Sequence, residues 1–157
     1  MIPLRKVNEV PATLKPKAIE TAIAAFVREG NPSGVPLNAD GLFNQLVENV
    51  ASVVIFKAPG RFCWIAEDEG EVVGWALTHV AKDVDNSLCY WMTDAYVSPK
   101  WRRKPEVKEW FKAMEADAAA NFCKHVIIPS SRNTEAYCRF LGKGWHPYVV
   151  LLKKDLV

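Results

Sequence analysis

One stretch constrains this chain more than any other. YWMTDAYVSP, residues 90–99, has the composition of a strand and stops at Pro99. KWRRK follows and carries Lys100, Arg102, Arg103 and Lys104. PEVKEWFKAMEADAAANF, residues 105–122, then has the period of an amphipathic helix. Val107, Trp110, Phe111, Met114 and Ala118 fall on one face. Pro105 suits a first helical turn, where its missing N–H costs nothing. A strand that runs through a basic turn into a helix start can bind an anionic phosphate. The first helical N–H groups have no partner inside the helix, and the dipole puts partial positive charge there.

The remaining segments fit around this unit. Ile2 to Val7 reads as a short strand. Lys17 to Glu29 reads as a helix ended by Gly30, and GNPSGVPLN as a loop. Asp40 can cap a second helix, Gly41 to Val50. Ala51 to Lys57 has strand composition but abuts that helix. FCWIAED and EVVGWALTHV form a hairpin around Gly70. HVIIP is a short apolar strand, SSRNTEAYCRFLGKGW a capped helix, and YVVLLKKDL a last strand. The order predicts the α/β class: one domain over residues 1–157, with a mixed sheet and helices on both faces. The central strand and HVIIP are joined by a helix, so they should run parallel.

Composition removes several function classes. A formal net charge of +2 and one short basic cluster argue against a nucleic-acid binder. Cys63, Cys89, Cys123 and Cys138 have no C-x-x-C spacing. Free thiols in a reducing cytoplasm are expected, with neither a disulfide framework nor a metal site. The apolar run Val53 to Phe56 is far too short to span a bilayer. His79 and His125 lie in or beside strands and are lesser candidates for a base. Most of the six tryptophans should be core.

Three stretches resemble the GNAT family of N-acetyltransferases. The hairpin IAEDEGEVVGWALTHV is similar to that family's second and third strands, including a glycine like Gly74. AYVSPKWRRKPEV is similar to its acyl-CoA signature, in which V-x-P-x-x-R runs into R-G-x-G-x-G or R-G-x-G-x-A. NTEAYCRFLGKGW resembles the closing N-x-x-A-x-x-x-Y-x-x-x-G-F. The resemblance implies the GNAT acyltransferase fold, acetyl-CoA as cosubstrate, and direct acetyl transfer to an amine of a small molecule or protein. It implies a pantetheine slot between two splayed strands, Tyr90 to Val97 and His125 to Pro129. It puts the thioester carbonyl against the main chain of Ala95, Tyr96 and Val97. It puts the pyrophosphate on Arg102, Arg103, Lys104, Pro105, Glu106 and Val107. Asn133 matches an asparagine that contacts CoA, with a plain helix cap as the alternative. Asp94 stands where some members carry an acid and is the expected base, a local surface contact being the alternative.

The match has two departures. The signature's glycines fall on Arg103, Pro105 and Val107. Pro105 has no N–H to donate and Val107 adds bulk, so Lys100, Arg102, Arg103 and Lys104 would hold phosphate through side chains. The tyrosine that protonates the leaving thiolate falls on Phe140, which cannot donate a proton. Tyr137, one turn earlier, is the substitute. A chain in which these departures ended catalysis would keep the fold as a binding or structural component, for instance in a bacteriophage virion. It would then show an exposed apolar patch or a dimer face.

Overall fold

The hairpin forms the middle of the sheet. β2 (Arg61–Asp68) and β3 (Glu71–Lys82) pair antiparallel. Glu69 and Gly70 turn between them at φ 49 and 84. Two consecutive positive φ values are what a type I′ turn requires, and its twist matches the strands. β1 (Arg5–Lys6) adds antiparallel to β2, inside the stretch expected as the first strand. β4 (Leu88–Val97) adds antiparallel to β3, and β5 (His125–Ile127) adds parallel to β4. The five strands stand in sequential order. This computed structural model describes residues 1–9, 20–21, 23–24, 39–128 and 134–148. Most of the helix read over Lys17 to Glu29, the loop to Asn38, Pro129, Ser130, Ser131, Asn133 and nearly all of the last strand lie outside the described residues.

Three α-helices have both ends among the described residues: α1 (Ala39–Val54), α2 (Glu106–Ala120) and α3 (Thr134–Leu141). Val7–Glu9 is a 3-10 turn, and Glu20, Thr21, Ile23 and Ala24 are helical. Strand alternation gives the sheet two buried faces. Cys63, Ile65, Trp75 and Leu77 face α1 and pack with its Leu46 and Val50, and with Ile23. Trp64, Ala66 and Ala76 face α2 and pack with Val107, Trp110, Met114 and Ala118. On the α2 face a polar network ties five elements together, β1 to β4 and α2. Trp64 Nε1 donates to Thr78 Oγ1 at 3.0 Å, and Tyr90 donates to Asp117 at 2.8 Å. The Lys6 ammonium binds the other oxygen of Asp117.

Two helix ends differ from the sequence reading. α1 continues through Val54 because Val53 and Val54 turn back onto the same core as Val50. Packing thus overrides the strand composition of SVVIF. The chain then leaves the helix at Ile55 and Phe56, which are exposed. α2 stops at Ala120, two residues before Phe122. Phe122 has φ 59, and its N–H and that of Cys123 bond back to the carbonyls of Ala119 and Ala118 at 3.0 Å each. This is a Schellman closure built without the usual glycine.

Candidate active site

The site begins with a bulge. Leu77 pairs with Asp94 and Thr78 with Met92, so Thr93 is an extra residue in β4. One inserted residue reverses the alternation of side chains. Tyr90 and Met92, before the bulge, belong to the α2 face; Tyr96, after it, belongs to the α1 face. Asp94 therefore points to the α1 side. There it lines a cleft of ≈ 330 Å³ with Gln45, Asn49, Val53, Arg61, Thr93 and His79. Gln45, Asn49 and Val53 are four residues apart and make one stripe of α1.

Electrostatics mark this cleft. Burial pushes the Asp94 carboxyl up from its ordinary value, and a hydrogen bond from Thr93 offsets part of the rise. Burial, then the charge of Arg61, lowers the pKa of His79. The His79 ring stacks on Trp91, centroids 6.3 Å apart and planes at 10°.

The second feature is an open strand edge. Pairing between β4 and β5 runs from Cys89–His125 to Trp91–Ile127 and stops. Beyond it, Met92 to Val97 have no β5 partner among the described residues. The Ser98 N–H bonds to Val73 O of β3 at 2.8 Å. Alternation along an antiparallel pair then turns the N–H and C=O of Ala95 and Val97 to the open side, and those of Tyr96 toward β3. On that side Arg102 Nε donates to Val97 O at 2.9 Å.

The basic turn is anchored by aromatics. Trp101 is buried and stacks on Trp110 at 5.9 Å. The Lys104 ammonium sits 3.5 Å from the centroid of the Trp101 ring, a cation–π geometry. The N–H groups of Trp101, Lys104, Val107 and Lys108 are taken by Ser98 O, Trp101 O, Lys104 O and Pro105 O. Lys100 and Arg103 form no ion pair among the described residues. One carboxylate oxygen of Glu106 is buried without a hydrogen-bond partner. Past the turn, a groove of ≈ 320 Å³ between α2 and α3 is lined by Lys108, Lys112, Lys143, Phe111, Phe140 and Trp145. Tyr137 and Phe140 lie parallel at 6.4 Å, both edge-on to Phe111.

Sequence reasoning missed Gln45, Asn49 and Arg61. Their only signal is the four-residue spacing on α1 and a position at the start of β2. It also missed that Asp83, Asp85 and His125 bring ligand atoms within 4.8 Å of one another. That group sits at the far end of β4 and is closed by its own bonds. Ser87 bridges Asp85 at 2.5 Å and His125 at 3.1 Å, and Tyr148 donates to Asp83 at 2.8 Å. His125 is thus held away from the Asp94 cleft. All four thiols are free, and burial pushes that of Cys63 up to about 12.

Comparison with known proteins decides the family. The model of the acetyltransferase (GNAT) family matches residues 24–142. The chain belongs to the GNAT acetyltransferase family. Among curated proteins none matches the sequence significantly. Solved structures share the fold at low identity. A Pyrococcus furiosus protein assigned as an acetyl transferase is 13% identical with a TM-score of 0.74, over 99% of this chain and 100% of its own. Glucosamine-6-phosphate N-acetyltransferase from Arabidopsis thaliana is 15% identical with a TM-score of 0.65, over 100% and 99%. Aminoglycoside N-acetyltransferase AAC(6')-Iy, solved with CoA, is 20% identical with a TM-score of 0.57, over 74% and 90%. Nothing in these likenesses supports a bacteriophage component. Among the described residues no helix of this GNAT chain is long and apolar enough to cross a membrane.

Proposed function

We propose that this chain transfers an acetyl group from acetyl-CoA to an amine by direct attack, without a covalent enzyme intermediate. One observation carries the reading: the β4 bulge turns the Asp94 carboxyl into a cleft beside a strand edge that β5 leaves open. Asp94 takes the proton from the acceptor's ammonium. The freed amine nitrogen attacks the thioester carbon, whose oxygen is polarised by the main-chain N–H groups of Ala95 and Val97. The C–S bond breaks, Tyr137 protonates the departing thiolate, and the second proton shed by the acylated nitrogen passes to solvent, from which Tyr137 is reprotonated. The cleft, at ≈ 330 Å³, has the size of a small-molecule site.

Arg102, Arg103 and Lys104 hold the phosphates through their side chains. Pro105 has no N–H, and Val107's is engaged by Lys104 O at 3.2 Å, so a backbone cradle is weak and charge must carry the contact. Beyond the turn, Lys108 and Lys143 add positive charge to the α2–α3 groove, whose Lys112 is paired with Glu109 and whose Glu115 accepts from Trp145. Asn133, outside the described residues, remains the candidate for a further CoA contact.

Phe140 favours a second reading. By the motif it falls at the position of the family's proton donor, and its ring lies edge-on to Phe111 at 6.0 Å, which fits a GNAT fold kept for binding a protein partner or a second copy. Calorimetric titration with acetyl-CoA separates the two. Micromolar binding by the wild type that is lost in Arg102→Ala/Arg103→Ala is the expected result. No binding at millimolar acetyl-CoA by the folded protein would leave the second reading.

A further inference from the structure

Arg61, His79 and Trp91 stand on one rung across β2, β3 and β4, because Arg61 pairs with His79 and His79 with Trp91. Directly paired residues point to the same face of a sheet. Here it is the α1 face, which Cys63 and Leu77 of the same strands identify. Leu77 lies two residues along β3 and pairs with Asp94. The cleft therefore has a guanidinium at one end and a carboxyl at the other. Two strand spacings and two residue rises set their backbones about 12 Å apart, and the arginine stem spans part of that gap. Gln45 and Asn49 wall the space between them with carboxamides. Arg61 forms no ion pair among the described residues. Among the described lining residues, Asp94 is the sole carboxylate.

We propose that the acceptor is an amine bearing a carboxylate or phosphate several bonds away, its ammonium at Asp94 and its anion at Arg61. The assignment rests on the acetyl-transfer reading for its chemistry, but its binding can be tested without catalysis. A polycationic acceptor would meet one carboxyl and an opposing guanidinium, and like charges at close range are disfavoured. An anionic tail meets Arg61 in a charge-assisted hydrogen bond, the stronger class of such bonds.

His79 is a reporter built into the cleft. Arg61 helps to hold its pKa down. Asp94 shares the cleft, Trp91 covers one ring face, and the α1 residues nearby, Gln45 and Asn49, carry no charge. An anion docked on Arg61 cancels the arginine's effect. The experiment follows the His79 imidazole by NMR, assigned with His79→Gln, while the folded protein is titrated with ε-aminocaproate, its amide, or hexamethylenediamine. The expected result is a rise in the His79 midpoint with the acid alone. In Arg61→Ala the midpoint is raised without ligand and no longer responds. An equal response to acid and amide, or a response that survives in Arg61→Ala, overturns the proposal. In turnover, the acid should exceed the amide by about tenfold in kcat/KM, and that ratio should collapse toward one in Arg61→Ala. If acetyl-CoA does not bind yet His79 answers the acid alone, the transfer reading fails with the acceptor role, and the Arg61–Asp94 binding mode for an amino acid-like ligand stands. If acetyl-CoA binds and the ligands behave alike, this one fails by itself.

Discussion

Gly74 is held to its identity by a tryptophan. A Cβ added there would stand 2.5 Å from Cζ3 of Trp110, deep in the sheet–α2 contact. Neither the strand nor the indole can yield much room, because the Trp110 ring is stacked on Trp101 and its Nε1 donates to Ile2 O at 2.8 Å. Gly74→Ala is expected to cost about 1 to 3 kcal/mol in urea unfolding. Trp110→Leu in the same chain should recover part of that loss, as a double-mutant cycle would read. Asp94 shows the opposite case, a residue kept at a cost to stability. Its carboxyl binds a proton more tightly folded than unfolded, so stability falls as pH rises from the unfolded value through the raised folded one. Asp94→Asn removes that penalty, and Tm at neutral pH should rise. The same change removes the proposed base. kcat/KM should fall by about 10² to 10⁴, and the acid limb of its pH profile, expected above the ordinary aspartate value of about 3.9, should disappear. Wild-type turnover in Asp94→Asn, with acetyl-CoA binding intact, would remove Asp94 from the mechanism.

The elements were legible where one period governs them and obscure where a partner decides. The buried face of α2 follows from a 3.6-residue repeat, and Val107, Trp110, Met114 and Ala118 are buried as that repeat requires. Its end was not legible, because Phe122 fills the left-handed position where a glycine would announce a stop. Phe122 is 85% exposed, so it recovers little by burial. Phe122→Gly should therefore stabilise the protein by up to about 1 kcal/mol, whereas Phe122→Ala should give no such gain. Denaturation of the two variants side by side checks this. The bulge at Thr93 was equally hidden. It arises from the register of β4 against β3, and YWMTDAYV carries no glycine to mark it. Asp94 could be singled out from its place in a motif, but the face it points to could not. Arg61, Gln45 and Asn49 join it through three separate elements, a proximity that no local pattern encodes.

At the scale of the whole molecule, the parallel pairing of β4 with β5 followed from the helix between them, but its extent did not. Among the described residues, four strands make a continuous antiparallel sheet, and the fifth is joined to it over three residue pairs. The parting of β4 from β5 leaves alternate main-chain groups of β4 without a pairing strand among the described residues. A thioester cosubstrate with amides along its arm can supply the missing partner, which gives a measurable signature. Before ligand is added, the amides of Ala95 and Val97 should exchange with solvent quickly, and that of Tyr96, turned toward β3, slowly. Saturating acetyl-CoA should slow Ala95 and Val97 while leaving Tyr96 nearly as it was. A ligand at a hundred times its Kd stabilises the folded chain by about 2.7 kcal/mol, so Tm should rise by several degrees in the same samples. If all three amides were already protected in the free protein, the edge would be occupied by the chain itself. Acetyl-CoA would then have no strand to join, and its binding, if calorimetry still found any, would have to use the basic turn and the α2–α3 groove alone.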